Sequence, residues 1–413
     1  MLSVKQAEAI IFDLVQPLDD RTDVETVELL AASGRILAAP VTSKLDFPHW
    51  DNSAMDGYAV RFADVKDASG DKPINLEIVE EIAAGDRPQR IIDAGQAARI
   101  FTGACIPEGA DTVVMQEETR REGDRVLILW APKPQDFVRH QGTFYQAGAP
   151  LLTPCLKLGP AEIAVLAGAQ CMEVPVYRRP RVAIFSTGDE LVAPDRPLAF
   201  GQLVDSNQYA LAAAVEKVGG EAIRLGIVPD KPELLRDTVA KAIATGDFVL
   251  STGGVSVGDY DYVEEILQEL GGELKVNAVA VKPGKPLTVA SFANSRCVYF
   301  GLPGNPVSAL VSFWRFVQPA LLKLAGVGGE GWMPEFVEGR SRQELRSGGK
   351  RETYLWGKLL LGAAGYEFEL AGGSHSSGNL INLAGTTGLA VLPVGQTSKA
   401  VGELVRVLRI NNP

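Results

Sequence analysis

Thr187-Gly188-Asp189-Glu190 places two carboxylates on a glycine turn directly after the short apolar run Val182–Phe185. Asp230 follows a second run, in which Ile223, Leu225 and Ile227 alternate. A third run, Phe248–Leu250, leads into Thr252-Gly253-Gly254-Val-Ser256-Val-Gly258, with Asp261 close behind. Successive backbone N–H groups in such a loop can cradle a phosphate, and the dipole of a following helix adds to the attraction. Hard carboxylate oxygens beside a phosphate suit a hard cation, Mg²⁺, bridging protein and phosphate. Lys282-Pro-Gly-Lys285-Pro286 is a different device. It presents paired positive charge on a turn stiffened by Pro and Gly, which suits an oxyanion at small entropic cost. In Gly304-Asn-Pro-Val-Ser308, Pro306 suits the first turn of a helix, so Ser308 and nearby N–H groups can hold a further anionic oxygen. Each feature also has a plainer reading. A glycine-rich turn can be only a turn, an Asp at a helix start a cap, and two lysines a solvated turn. Four such strand ends in one stretch of chain favour chemistry.

The elements that must position these residues are legible from periodicity. Strand runs alternate with helical patterns at 207–218, 233–244 and 263–270. That alternation predicts a doubly wound, mostly parallel sheet covered on both faces, with ligands beyond the carboxyl ends of its strands. Ser3 and Gln6 form a capping box before a helix with Val4, Ala7, Ile11 and Leu14 on one face. Residues 57–135 carry short alternating stretches such as 76–80 and 125–130, the pattern of a small β-rich domain. Residues 142–170 return to helical texture, with a short helix from Glu162 to Gly168 expected beside the first one. The tail reads as strands at 354–361, 388–393 and 403–410 in a small barrel or sandwich. The expected organisation is an α/β multidomain chain. Its parts are a helical and linker domain (1–49 plus 141–176), an inserted β-rich domain (50–140), a central α/β domain (177–328) and a C-terminal β-barrel domain (329–413). In the β-rich region Asp51–Gly57 and Phe101-Thr102-Gly103 read as turns, which only a partner surface would make catalytic.

Composition excludes several classes. The 413 residues are 46% hydrophobic and 22% charged, which rules out bulk disorder. Lys plus Arg is 40 and Asp plus Glu 51, a net charge of −11, unsuited to wrapping nucleic acid or coating an anionic membrane. Cys105, Cys155, Cys171 and Cys297 lack paired metal or redox spacing, and His49, His140 and His375 are scattered. No apolar run reaches the roughly 18–20 residues a span requires, and the first residues lack a signal peptide's basic head. The expected compartment is the cytoplasm.

Taken together, Asp51–Ala59, Phe101–Gly103 with 107–109, Ser186–Glu190, Gly201–Asn207, Gly253–Gly258 with Asp261, Lys282–Pro286 and Leu302–Ser308 resemble, in order, the molybdopterin molybdenumtransferase (MoeA) family, to which the gephyrin E domain is also similar. The resemblance implies a homodimer of four-domain subunits that inserts molybdate into adenylylated molybdopterin, with Mg²⁺-dependent release of AMP, to give molybdenum cofactor. It implies that the α/β domain holds the AMP phosphate and Mg²⁺ through Thr187, Gly188, Asp189, Glu190, Asn207, Asp230, Thr252, Gly253, Gly254, Ser256 and Asp261. Lys282, Lys285, Pro286, Ser308, Arg351 and Ser377 then line the molybdate site, and Asp56 and Thr102 are active-site positions of the β-rich domain. A molybdopterin adenylyltransferase and molybdoenzyme chaperones are further partners it suggests.

Two departures stand out. Many relatives carry an acidic pair where Thr143 and Phe144 stand, and some a lysine where Ala278 stands. Two other readings remain at this point. A molybdopterin adenylyltransferase needs only the α/β core, and a gephyrin-like scaffold would use the same fold without its chemistry. The flanking β regions argue against the first, and intact Glu190, Asp261, Lys282 and Lys285 against the second.

Overall fold

The computed structural model describes residues 1–254 and 262–410. Contacts divide the chain into two compact units, one of residues 40–153 and 161–172, the other of the remaining described residues.

The larger unit contains the expected sheet. Strands Glu221–Val228, Arg181–Thr187, Phe248–Thr252 and Ser295–Leu302 lie parallel, side by side in that order. Phe248–Thr252 is buried throughout, as befits a strand covered on both faces. Its side chains alternate between two cores. Val182, Ile184, Leu250 and Phe300 pack with Leu211, Val215 and Phe316 on one face. Ala183, Phe185, Val249 and Tyr299 pack with Leu235, Val239 and Leu267 on the other. Helices Asn207–Lys217, Pro232–Thr245 and Val263–Glu269 supply these covers close to the expected bounds. Two strands escaped the periodicity reading, Gly272–Ala278 and Pro286–Phe292, which extend the sheet antiparallel. Their ladder is interrupted by bulges, which breaks strict alternation. Pro286 begins its strand, where a missing N–H is tolerated.

The N-terminal helix Val4–Leu14 carries the expected capping box. The Gln6 N–H donates to Ser3 Oγ at 3.2 Å, and the Ser3 N–H to Gln6 Oε1 at 3.0 Å. Val4, Ala7 and Ile11 are buried as expected, joined by Phe12. The helix packs on the helix Gln318–Leu324 and the strand Gly272–Ala278.

At the C-terminus, strands Glu352–Gly362, Gly365–Leu370, Phe336–Ser341, Leu404–Arg409 and Gly388–Leu392 pair in sequence, and the last pairs back on the first. This closes the expected small barrel. A short strand from the α/β region, Val281–Lys282, runs parallel to the start of Glu352–Gly362, with Val281 opposite Glu352 and Lys282 opposite Thr353.

The smaller unit is built on a six-stranded sheet ordered Thr112–Met115, Gly57–Val60, Gln96–Ile100, Ile74–Ile82, Arg125–Ile128 and Thr119–Glu122. Tyr58, Val60, Leu76 and Val126 fill one side, and Ala59, Ile82, Ile100 and Val113 the other. The helical reading of 142–170 holds only for Pro160–Gly168, which begins before Glu162. Residues 150–152 instead pair as a strand with Val41–Thr42. Gly142, Gly148, Pro150, Pro154 and Gly159 interrupt any longer helix. The N-terminal helix belongs to the larger unit and residues 161–168 to the smaller one.

Candidate active site

Beyond the carboxyl ends of the parallel strands lies a cleft of about 400 Å³, lined by Thr187, Glu190, Asn207, Gly253, Pro286 and Ser308 among others. Thr187 and Thr252 end adjacent strands, so the turns after them emerge together. Gly253 has φ +88°, and a Cβ there would lie 2.3 Å from the Thr187 carbonyl oxygen. Only glycine fits that crossing. Asn207 donates through Nδ2 to the Gly304 carbonyl at 2.8 Å, tying its helix to the loop that carries Asn305 and Pro306.

Beneath the cleft sits a buried carboxylate that periodicity did not single out. Asp205 is 3% exposed and accepts from the Ser186 hydroxyl at 3.0 Å, the Asn207 N–H at 3.1 Å, the Gln208 N–H at 3.3 Å and Gln208 Nε2 at 2.5 Å. Ser186 also bonds the Thr252 hydroxyl at 2.9 Å. The network locks two strand ends to one helix start, and full satisfaction is what makes a buried charge tolerable. The signal was its place in Gly201–Asn207, an acid directly before a helix.

The expected carboxylates meet only in part. Asp189 Oδ1 accepts the Asp230 N–H at 3.2 Å, and Asp230 Oδ1 accepts the Thr187 hydroxyl at 2.5 Å. Glu190 folds back over Gly188, and no described residue donates a hydrogen bond to its carboxylate. Among the described residues no three His, Cys, Asp or Glu side chains converge. Ser256 and Asp261 lie outside the described residues. Mg²⁺ typically takes one or two carboxylates and completes its shell with water and phosphate. The Glu190 carboxylate on the cleft wall, with no hydrogen bond from a described residue, suits the role of one such ligand.

The lysine turn borders the same cleft through Pro286. Its Lys282–Pro283 bond is cis. The Val279 N–H donates to the Lys285 carbonyl at 3.0 Å, closing the turn. Gly284 has φ +105°, and a Cβ there would meet Ser312 Oγ at 2.8 Å. The turn therefore lies directly on the helix Pro306–Ser312, which carries the buried Ser308. Lys282 and Lys285 are exposed. Arg351 Nη1 donates to the Val281 carbonyl at 3.1 Å. The Val307 N–H donates to the Ser377 carbonyl at 3.2 Å, bringing Ser377 beside Ser308. The six expected oxyanion residues are thus linked around one turn. Ala278 faces Pro286 across the sheet, which places this position beside the turn.

In the smaller unit, Asp56 Oδ1 accepts both the Thr102 N–H and the Thr102 hydroxyl, each at 2.7 Å. The N–H first, and then the hydroxyl, hold the Asp56 carboxyl below its ordinary value. Burial would raise Asp51, but bonds from the Gln141 N–H and the His140 ring outweigh it and hold that carboxyl low. Phe144 is 62% exposed, its ring centroid 5.7 Å from that of Phe47.

Fold and cleft define a class, a multidomain α/β protein with a cleft at the carboxyl ends of its central sheet. The chain belongs to the MoeA family. Residues 2–169 match the MoeA N-terminal region (domain I and II), residues 183–323 the probable molybdopterin binding domain, and residues 338–410 the MoeA C-terminal region (domain IV). The chain is 59% identical to the molybdopterin molybdenumtransferase of Nostoc sp., over 99% of this chain and 94% of that one. It is 37% identical to the enzyme of the same name from Haemophilus influenzae, over 79% and 78% of the two chains. A crystal structure of the molybdopterin biosynthesis MoeA protein from Pyrococcus horikoshii matches with a TM-score of 0.84 at 28% identity, covering 99% of this chain and 100% of that one.

Proposed function

We propose that this chain is a molybdopterin molybdenumtransferase, which inserts molybdate into adenylylated molybdopterin and releases AMP. One observation carries the reading. Pro286 and Ser308 line the strand-end cleft and also adjoin the lysine turn, so a phosphate-bearing substrate and an oxyanion can share a boundary. Family matches on both sides of the binding domain favour this activity over adenylylation, which needs the α/β core alone.

Molybdate is doubly anionic and must approach an anionic partner. Lys282, Lys285 and Arg351 offset that repulsion, and Ser308 and Ser377 add neutral donors. The turns after Thr187 and Thr252, with Gly253 and Gly254 on the cleft wall, offer backbone N–H groups to the phosphate. Gly188 and Ser256 belong to the same proposed set, and Asn207 lines the cleft beside the Gly304 carbonyl it holds. Glu190, with Asp189, Asp230 and Asp261, would hold Mg²⁺, which when bound would supply Lewis-acid polarisation of the phosphoanhydride. The proposal includes a homodimer, active-site roles for Asp56 and Thr102, the four-part division at 1–49 plus 141–176, 50–140, 177–328 and 329–413, and a cytoplasmic location. Adenylyltransferase and chaperone partners belong to it as well. No helix among the described residues is long and apolar enough to cross a membrane.

Incubation with adenylylated molybdopterin, molybdate and Mg²⁺ tests it. The expected result is AMP release that requires both the oxyanion and the metal. Molybdate binding without AMP release would favour the scaffold reading, and ATP consumption without molybdate the adenylyltransferase.

A further inference from the structure

A buried ionic chain runs from the N-terminal helix to the oxyanion turn, and nothing in the chemistry above uses it. Arg315 is 4% exposed, in the π-helical turn Phe313–Val317 that follows the helix of Ser308 and Ser312. Such turns are frequent at functional sites. Its guanidinium holds Glu8 bidentately at 3.0 and 2.8 Å, and its Nε donates to the Tyr354 hydroxyl at 2.8 Å. Tyr354, itself buried, donates its hydroxyl hydrogen bond to Glu352 Oε1 at 2.6 Å. No buried side-chain polar atom of Glu8, Arg315, Tyr354 or Glu352 is without a hydrogen-bond partner.

The path ends at a junction that needs support. Glu352 opens the strand that receives Val281–Lys282, and that ladder is two residue pairs long. Ladder ends of this length fray readily. Yet both cations of the junction depend on it. Lys282 is one of the paired residues, and Arg351 directly precedes Glu352 and bonds the Val281 carbonyl. The Glu352 N–H donates to the Ala280 carbonyl at 2.9 Å, and the Thr353 hydroxyl to the Arg351 carbonyl at 3.1 Å. Val281 packs into the core from this junction, and the Glu352 side chain adds a polar tie to the buried Tyr354.

We propose that Tyr354, braced by Arg315 and Glu8, is a positioning residue that fixes the separation of Arg351 and Lys282 by gripping Glu352. The proposal rests on the oxyanion reading of those two cations. Buried charges are costly unless fully paired, and removing one partner is strongly felt. Here the cost falls on ligand geometry, because the far end of the chain is the start of a short ladder.

The test is titration calorimetry of molybdate and of AMP with wild type, Lys285→Ala, Tyr354→Phe, Glu352→Ala and Glu352→Gln, each with its melting temperature. Tyr354→Phe keeps the ring and loses both bonds, so molybdate binding should weaken about tenfold, as for loss of a hydrogen bond to a charged group. AMP affinity should stay within about twofold, since its contacts lie elsewhere in the cleft. Glu352→Ala, which removes the acceptor of Tyr354 at a half-buried position, should reproduce that split, and Glu352→Gln, which keeps an acceptor for Tyr354, should restore most of it. Equal weakening of both ligands, or a lowered melting temperature with molybdate affinity intact, overturns the positioning role. If wild type does not bind molybdate, or Lys285→Ala binds it equally well, the oxyanion reading itself fails and takes this proposal with it.

Discussion

Lys285 sits at the exposed end of a turn closed by the Val279 N–H, so its ammonium group can be removed without disturbing the fold. Lys285→Ala should weaken molybdate binding by about 1.5–3 kcal/mol, the worth of one charge-assisted contact, and leave AMP binding unchanged. Isotherms for the two ligands decide it, and unchanged molybdate affinity removes Lys285 from the site. Asp56 makes a second prediction. Its folded-state pKa is depressed, so the stabilisation it provides is present above the unfolded value and fades as pH falls through the lower folded one. Thr102→Val removes the hydroxyl donor and keeps the N–H, so the Asp56 midpoint should move up toward the ordinary 3.8 without reaching it, as followed by carboxyl carbon NMR. The residues proposed to bind anions stand out in the sequence because their chemistry is local, a glycine turn with two acids or two lysines around Pro-Gly. Asp205 was not. Its importance comes from burial and from Ser186, nineteen residues away, which no local pattern encodes. Ser377 was reachable only through a loose family likeness, because its contact with Val307 spans the chain from the barrel to the α/β domain.

At the scale of elements, legibility tracked burial. Strands buried on both faces announce themselves as apolar runs, and the helices between them end where Gly and Pro intervene. Gly272–Ala278 and Pro286–Phe292 went unread because bulges shift their register and one begins with proline. The capping box of the first helix was legible residue by residue. Ser3→Ala should cost about 1 kcal/mol of stability, read as a lowered denaturation midpoint. Gly253→Ala tests the strand-end crossing. It places a Cβ against the Thr187 carbonyl at a positive φ, so the strand ends must move apart. Strain of this kind costs about 1–3 kcal/mol, and AMP affinity should fall with it. A variant with wild-type melting temperature and AMP affinity would show that the crossing is not part of the phosphate site.

At the scale of the whole molecule, Phe144 stands where the family resemblance implies a carboxylate. An exposed phenyl ring cannot ligate a metal or take a proton. Under the proposed function Asp189, Glu190, Asp230 and Asp261 are the carboxylates that serve the metal, and position 144 is auxiliary. Phe144→Asp should therefore change AMP release by less than about tenfold, whereas restoring a missing catalytic group should gain 10²–10³. A hundredfold gain would mark the natural protein as impaired. The two-residue strand Val281–Lys282 carries a consequence for anyone who would treat this molecule as interchangeable parts. It leaves the α/β sheet and pairs within the barrel's sheet, so a cut near residue 328 severs the barrel from a strand it borrows. Exchanging residues 329–413 for those of a relative would put a foreign Arg351 and Glu352 against a resident Val281 and Ala280. Chimaeras joined there should melt as sound proteins and still handle molybdate poorly, unless 279–286 travels with the graft.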